Sequence, residues 1–126
     1  MLYTIESSGD LRQIISIPHA TEYSHWHSRL TDQEFDAIYD ELLNRIDTKD
    51  IDTSSWIPGS DWTGTVFFPI WDSACNRDFD ASAKFFGLIL WKVVMEHTEE
   101  WSFGKYEKDG TPIAGTTYFR LNQNAN

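Results

Sequence analysis

Residues 31–46 read TDQEFDAIYDELLNRI, the clearest structural signal in the chain. Thr31 followed by Glu34 is a capping box, in which each side chain satisfies the other residue's free backbone amide. Phe35, Ile38, Tyr39, Leu42, Leu43 and Ile46 then recur at i, i+3, i+4, i+7, i+8 and i+11. That spacing draws one apolar stripe along an amphipathic helix. Its other side carries Asp32, Asp36 and Asp40. A helix with one apolar side needs a second layer to cover it, and the flanking sequence supplies mostly strands.

Toward the N-terminus, Leu2–Glu6 and Leu11–Ile17 are strand-like runs separated by the turn cluster Ser7, Ser8, Gly9 and Asp10, so a hairpin is expected there. Leu11, Ile15 and Ile17 fall on one face at period two, and Pro18 closes the run. Residues 21–28 form a candidate third strand. Toward the C-terminus, Asp47–Gly64 reads as a long ordered loop holding Trp56 and Trp62. Thr65–Trp71 reads as a strand, with Pro69 placing it at an edge. A second helix is expected over Ala81–His97, capped by Asp78 or Asp80. It is apolar nearly all round: Phe86, Ile89, Leu90, Val93 and His97 share one side, and Leu88, Trp91 and Met95 the other, beside Lys84 and Lys92. Such a helix is either sandwiched between layers or meets another chain. Trp101–Glu107 and Ile113–Leu121 read as a hairpin about Lys108, Asp109 and Gly110, with Gly115 marking a bulge. The expected architecture is a single α+β domain over residues 1–126, of order ββ(β)αβαββ: a mainly antiparallel sheet packed with two helices.

Composition narrows the function classes. The 126 residues include 20 acidic and 10 basic side chains, a net charge of −10, and 15% aromatics with six Trp. No basic excess exists to release counterions from nucleic acid, or to hold an anionic membrane. The single cysteine, Cys75, forms no intrachain disulfide, which favours a reducing compartment. No secretory signal opens the chain, and the longest apolar run, Phe85–Trp91, is far short of a membrane span. A soluble, cytoplasmic protein is expected.

Four constellations bear on chemistry. Asp32, Asp36 and Asp40 stack about 6 Å apart on one helix face at the α-helical rise, and Asp47, Asp50 and Asp52 continue the run. A row of carboxylates at roughly phosphate spacing suits the basic groove of a nucleic-acid-binding protein, although such a face also serves solubility alone. His25 and His27 would share a strand face, but no further ligand follows at a zinc spacing, so no metal is expected. Cys75 could pair with His97 or His27 as a nucleophile, yet Asp72, Asp78 and Asp80 nearby would raise its pKa. Trp56, Trp62, Trp71, Trp91 and Trp101 are candidates for an interface, a ligand site or core. Phosphate-binding glycine loops, nucleophile elbows and zinc-hydrolase motifs are absent, and no cofactor or catalytic residue is assigned.

The expectation is therefore a small acidic protein-binding module, an inhibitor that occupies the basic nucleic-acid-binding surface of a partner. Inhibitors of restriction and CRISPR nucleases share this size and charge, by analogy and not homology. Asp32, Asp36 and Asp40 would steer the encounter, and Trp56, Trp62 or the Leu88–Trp91–Met95 stripe would anchor it. Two alternatives stand beside it. One is a small-ligand or enzymatic domain with a Trp-lined site in the 56–64 loop, using Asp61, Asp72 and His97. The other is a self-associating subunit that buries the Leu88 stripe in a homodimer.

Overall fold

The computed structural model describes residues 1–6, 8–47, 62–104 and 116–121, together with the backbone of 51–53, 107–108 and 111–112. Trp56, Asp61, Asp50, the Asp109–Gly110 turn and Gly115 lie outside these residues. The chain is α+β, as its pattern predicts, and its sheet is mixed but mostly antiparallel.

The N-terminal hairpin forms from β1 (Leu2–Ile5) and β2 (Leu11–Ile14), in the register Leu2↔Ile14 to Ile5↔Leu11. Gly9, with φ +90°, supplies the turn conformation that a side chain resists. Helix α1 (Ala20–His27) follows, then α2 (Asp32–Asp47), β3 (Ile51–Thr53), a π-helical turn over Ile70–Ala74, α3 (Phe79–Glu96) and β4 (Trp101–Gly104). The short pair β5 (Glu107–Lys108) and β6 (Thr111–Pro112) forms its own hairpin, and β7 (Thr117–Arg120) returns beside β4. The large sheet runs β2-β1-β4-β7-β3. Within it β1 and β4 are parallel, and the other neighbours are antiparallel. The Met1 ammonium seats β1 by donating to the carbonyls of Val94 (3.3 Å), His97 and Glu99 (2.8 Å) at the C-terminal end of α3, where a cation meets the negative end of the helix dipole.

Several expectations are corrected. Residues 21–28 are the helix α1 and not a strand. Tyr23, Trp26 and His27 fall at helical spacing and pack on Phe85 and Phe35, and that packing outweighs the polar composition. Thr65–Trp71 is not a strand either. Thr65 Oγ1 donates to the Trp62 carbonyl and accepts from the Phe67 amide, which closes a turn. Pro69 then leads into the π turn with φ −61°, a helix-starting role suited to its fixed ring. Leu11 and Ile15 do not face the core: they are 48% and 81% exposed, whereas Ile14 and Ile17 pack against it. The described residues thus hold three α-helices and the π turn instead of two helices, and β3 falls where a loop was expected.

Both predicted helix starts are present. Thr31 N–H donates to Glu34 Oε1 at 2.9 Å, and Glu34 N–H to Thr31 Oγ1 at 3.0 Å. Asp78 caps α3 by accepting from the Ala81 amide at 3.1 Å. The inward stripe of α2, Phe35, Ile38, Leu42 and Ile46, is buried against α3. Helix α3 lies at the centre: Trp91 packs on Phe103 and Tyr118 of the sheet, while Phe85 and Phe86 meet α1 and the 62–67 turn. Among the described residues, no helix is long and apolar enough to cross a membrane.

The core holds one testable oddity. The Tyr23 hydroxyl is buried without a hydrogen-bond partner, and burial, with Glu96 adding to it, pushes its pKa up to about 12. Tyr23→Phe removes the orphan oxygen and keeps the ring. It is expected to stabilise the fold by about 1 kcal/mol, read as a higher denaturant midpoint at unchanged m-value. A drop of similar size would mean that the hydroxyl has a partner.

Candidate functional site

Because α2 turns Phe35, Ile38, Leu42 and Ile46 inward, Asp32, Asp36 and Asp40 necessarily point to solvent, and all three are exposed. Ala37 and Glu41 lie on the same open side. None of the three aspartates makes an ion pair with a described residue, and most of the described cations are bonded to other groups. Arg12 pairs with Glu6 at 2.9 Å, Arg77 with Asp72 at 2.8 Å, Lys84 with Glu22 at 2.8 Å and Lys92 with Glu96 at 2.8 Å. Arg29 donates to the Ala74 carbonyl and to His25 Nε2, each at 2.8 Å. Arg120 pairs with Glu99, and Arg45 is likewise engaged. The pairing depresses the Glu22 carboxyl, chiefly through its bond from Lys84. The acidic face of α2 is thus left without local neutralisation, and its field reaches outward over about a Debye length, ~10 Å at 0.1 M salt.

The expected anchors are placed differently. Leu88 is buried, and Trp91 and Met95 are half-buried against the core. Trp91 sits edge-on to Phe103 at 4.8 Å and to Tyr118 at 6.4 Å, and its Nε1 donates to the Ser16 carbonyl at 3.2 Å. Trp91 therefore meets the chain's own sheet, and Leu88 belongs to the core. Trp62 is buried too, between Phe67 (6.2 Å) and Phe86 (6.0 Å), with its Nε1 unpartnered. It is core. Trp56 lies outside the described residues. Trp71 is half-buried under the Arg77 guanidinium at 5.1 Å.

Of the polar groups expected to converge on a small ligand, Asp72 is tied to Arg77 and His97 is tied elsewhere. His97 Nδ1 accepts from the Glu99 amide at 3.0 Å and from Trp101 Nε1 at 3.3 Å, so its proton sits on Nε2 and is donated to Asp47 Oδ1 at 2.6 Å. The Arg120 guanidinium lies 4.6 Å over the Trp101 ring and donates to the Ile46 and Asp47 carbonyls at 3.1 and 3.2 Å. This network of α2, the end of α3, β4 and β7 is the polar cluster that sequence reasoning missed. Its members are spread over the chain, and Asp47, His97 and Trp101 fall in three different sequence constellations while Arg120 falls in none.

His25 and His27 do not share a strand face. His25 bonds Arg29, and His27 stacks edge-on to Phe35 at 4.4 Å. Among the described residues, no three His, Cys, Asp or Glu side chains gather as a metal site would require. Cys75 is buried, and burial pushes its thiol up to about 11 despite the Ser82 hydrogen bond. Thiolate, not thiol, reacts. Native protein at neutral pH is therefore expected to react with Ellman's reagent at least ~100-fold more slowly than unfolded protein, and comparable rates would reopen a nucleophilic role.

No family model, curated protein or solved structure matches this chain. Its function must be argued from the acidic face, the only sequence-predicted site residues that the fold both groups together and leaves accessible among those described.

Proposed function

We propose that this protein is a small acidic protein-binding module that docks the Asp32–Asp36–Asp40 face of α2 against a basic surface on a partner. The partner surface is one that otherwise holds nucleic acid, so docking inhibits or regulates it. One observation carries the reading: three exposed carboxylates stand in a row without a described counter-cation, while Arg12, Arg29, Arg77, Lys84, Lys92 and Arg120 are bonded to other groups. Like charges at i, i+4 cost a helix a few tenths of a kcal/mol each, a cost that binding to a cationic surface turns into attraction. Charge at such a rim acts mainly on the association rate and its salt dependence. With a net charge of −10 the protein itself would avoid nucleic acid. A single, buried cysteine suits action in the cytoplasm.

The test is affinity capture from a native lysate at about 50 mM and about 300 mM salt, with wild type beside the triple variant Asp32→Lys, Asp36→Lys, Asp40→Lys. A captured basic protein should be released at the higher salt, be lost by at least ~10-fold with the variant, and give up its nucleic acid to the wild type in a competition assay. The neutral triple Asn variant checks that the helix survives. Capture that ignores both salt and charge reversal would sink the reading.

A further inference from the structure

Strand β2 is an edge: among the described residues nothing pairs with its outer side. The antiparallel ladder alternates between hydrogen-bonded and non-bonded pairs. Glu6 N–H donates to the Asp10 carbonyl at 2.8 Å, in the same register as Leu2↔Ile14 and Thr4↔Arg12. Those are the bonded pairs, so the N–H and C=O groups of Leu11 and Gln13 point away from the sheet. The side chains on the corresponding sheet face are apolar where they are most exposed: Ile5 at 51%, Leu11 at 48% and, just past the strand, Ile15 at 81%. These are three of the five exposed large hydrophobics among the described residues. A bare, apolar edge without proline or bulge is a template for another strand.

We propose that β2 is the seam of a homodimer, in which two copies pair β2 antiparallel about a two-fold axis at Gln13. An axis at Leu11 would draw the Gly9 turn (φ +90°) into the seam, whereas one at Gln13 keeps the pairing within Leu11–Ile15. Bonded pairs require outward-pointing residues on both copies, so the axis falls on a residue and not between two. An axis at Arg12 would set two guanidinium groups opposite each other at the closest cross-strand distance. An axis at Gln13 opposes two neutral amides, sets Arg12 against Ile14 of the partner subunit, and lays Leu11 against Ile15 of the partner subunit. Ile5, Leu11 and the partner's Ile15 then form one continuous row across the joined sheets. The edge is thus self-complementary in hydrogen bonding and opposes no like charges, as an isologous contact requires. One short strand per copy buries less than the ~1,200 Å² of standard interfaces, so association is weak, with half-association at about 10–500 µM. Because both copies are strongly acidic, added salt strengthens this contact, the opposite sign to docking through α2.

Sedimentation equilibrium is run over about 1 µM to 1 mM protein at low and moderate salt, a range set by the expected affinity. A monomer–dimer equilibrium that tightens with salt is the expected result. The double variant Leu11→Lys, Ile15→Lys changes only exposed side chains and should weaken it at least ~10-fold, since it places like charges across the seam. Gln13→Cys should cross-link on mild oxidation, because bonded cross-strand pairs put the Cα atoms about 5.5 Å apart, within disulfide reach. Ser8→Cys, with its thiols on the order of 30 Å apart along the paired strands, should not. A chain that stays monomeric throughout, or a dimer indifferent to the Lys variant and not linked at position 13, overturns the proposal. So does an edge that accepts only a strand from a different protein, which would leave the isolated chain a monomer. Neither outcome bears on the α2 face.

Discussion

Trp101→Ala is expected to cost about 3–5 kcal/mol, the range for deleting a buried tryptophan. Against a total of roughly 5–15 kcal/mol for a domain of this kind, that leaves it marginal. Trp101 is fully buried where β4 meets the ends of α2 and α3. Its ring lies beneath the Arg120 guanidinium, its edge meets His97 at 5.8 Å, and its Nε1 donates to His97 Nδ1. Alanine would open a cavity between three elements at once, none of which can collapse without breaking the His97–Asp47 or Arg120–carbonyl bonds. Trp101→Phe keeps most of the ring and loses the donor, so a cost of about 1–2 kcal/mol is expected. Thermal unfolding should show a fall of about 10–20 °C for the alanine variant. A shift of only a degree or two would mean that the network is not what holds these elements together.

Arg120→Met comes next, at about 2–3 kcal/mol. The cost does not come from the Glu99 pair: that carboxylate is more than half exposed and returns to water readily. It comes from the Ile46 and Asp47 carbonyls at the C-terminal end of α2, which lose their donor, and from the lost cation–π contact with Trp101. Lysine at this position should recover less than half of the loss. A single ammonium cannot reproduce the planar fork that spans two carbonyls and a carboxylate. A double-mutant cycle with Trp101→Phe should reveal a coupling of about 0.5–1.5 kcal/mol, which isolates the stacking. Zero coupling would show that the guanidinium acts through its hydrogen bonds alone.

Helix α2 was legible because two independent local signals agree in it, the Thr31–Glu34 box and a stripe sustained over three turns. The N-terminal hairpin and the β4–β7 pairing were legible for the same reason: turn residues sit between short strand-like runs. Helix α1 is only eight residues long, with Tyr23 and Trp26 as its large apolar residues, too few for a period to show. Thr65–Phe68 has strand composition, but its bonds are taken by a turn around the buried Phe67. The all-round apolarity of α3 posed a choice between a sandwich and a second chain, and only the structure shows the sheet packed on Trp91. The acidic row was readable from spacing alone. The His97–Trp101–Arg120–Asp47 network was not, because no local pattern announces contacts between residues 47, 97 and 120.

The pairing of β1 with β4 also governs how the chain reaches this state. Ser102 Oγ donates to the Tyr3 carbonyl across 99 residues of sequence, and β1 lies inside the sheet and not at its rim. During synthesis the β1–β2 hairpin emerges well before β4, so its inner side has no neighbour until β4 leaves the ribosome. The apolar helix α3, made just before, waits uncovered over the same interval. Closing so large a loop before the β1–β4 contact rewards it makes folding slower than in a chain of local contacts alone. The interval in which chaperones or proteases compete for the nascent chain is therefore set by the arrival of residues 101–104.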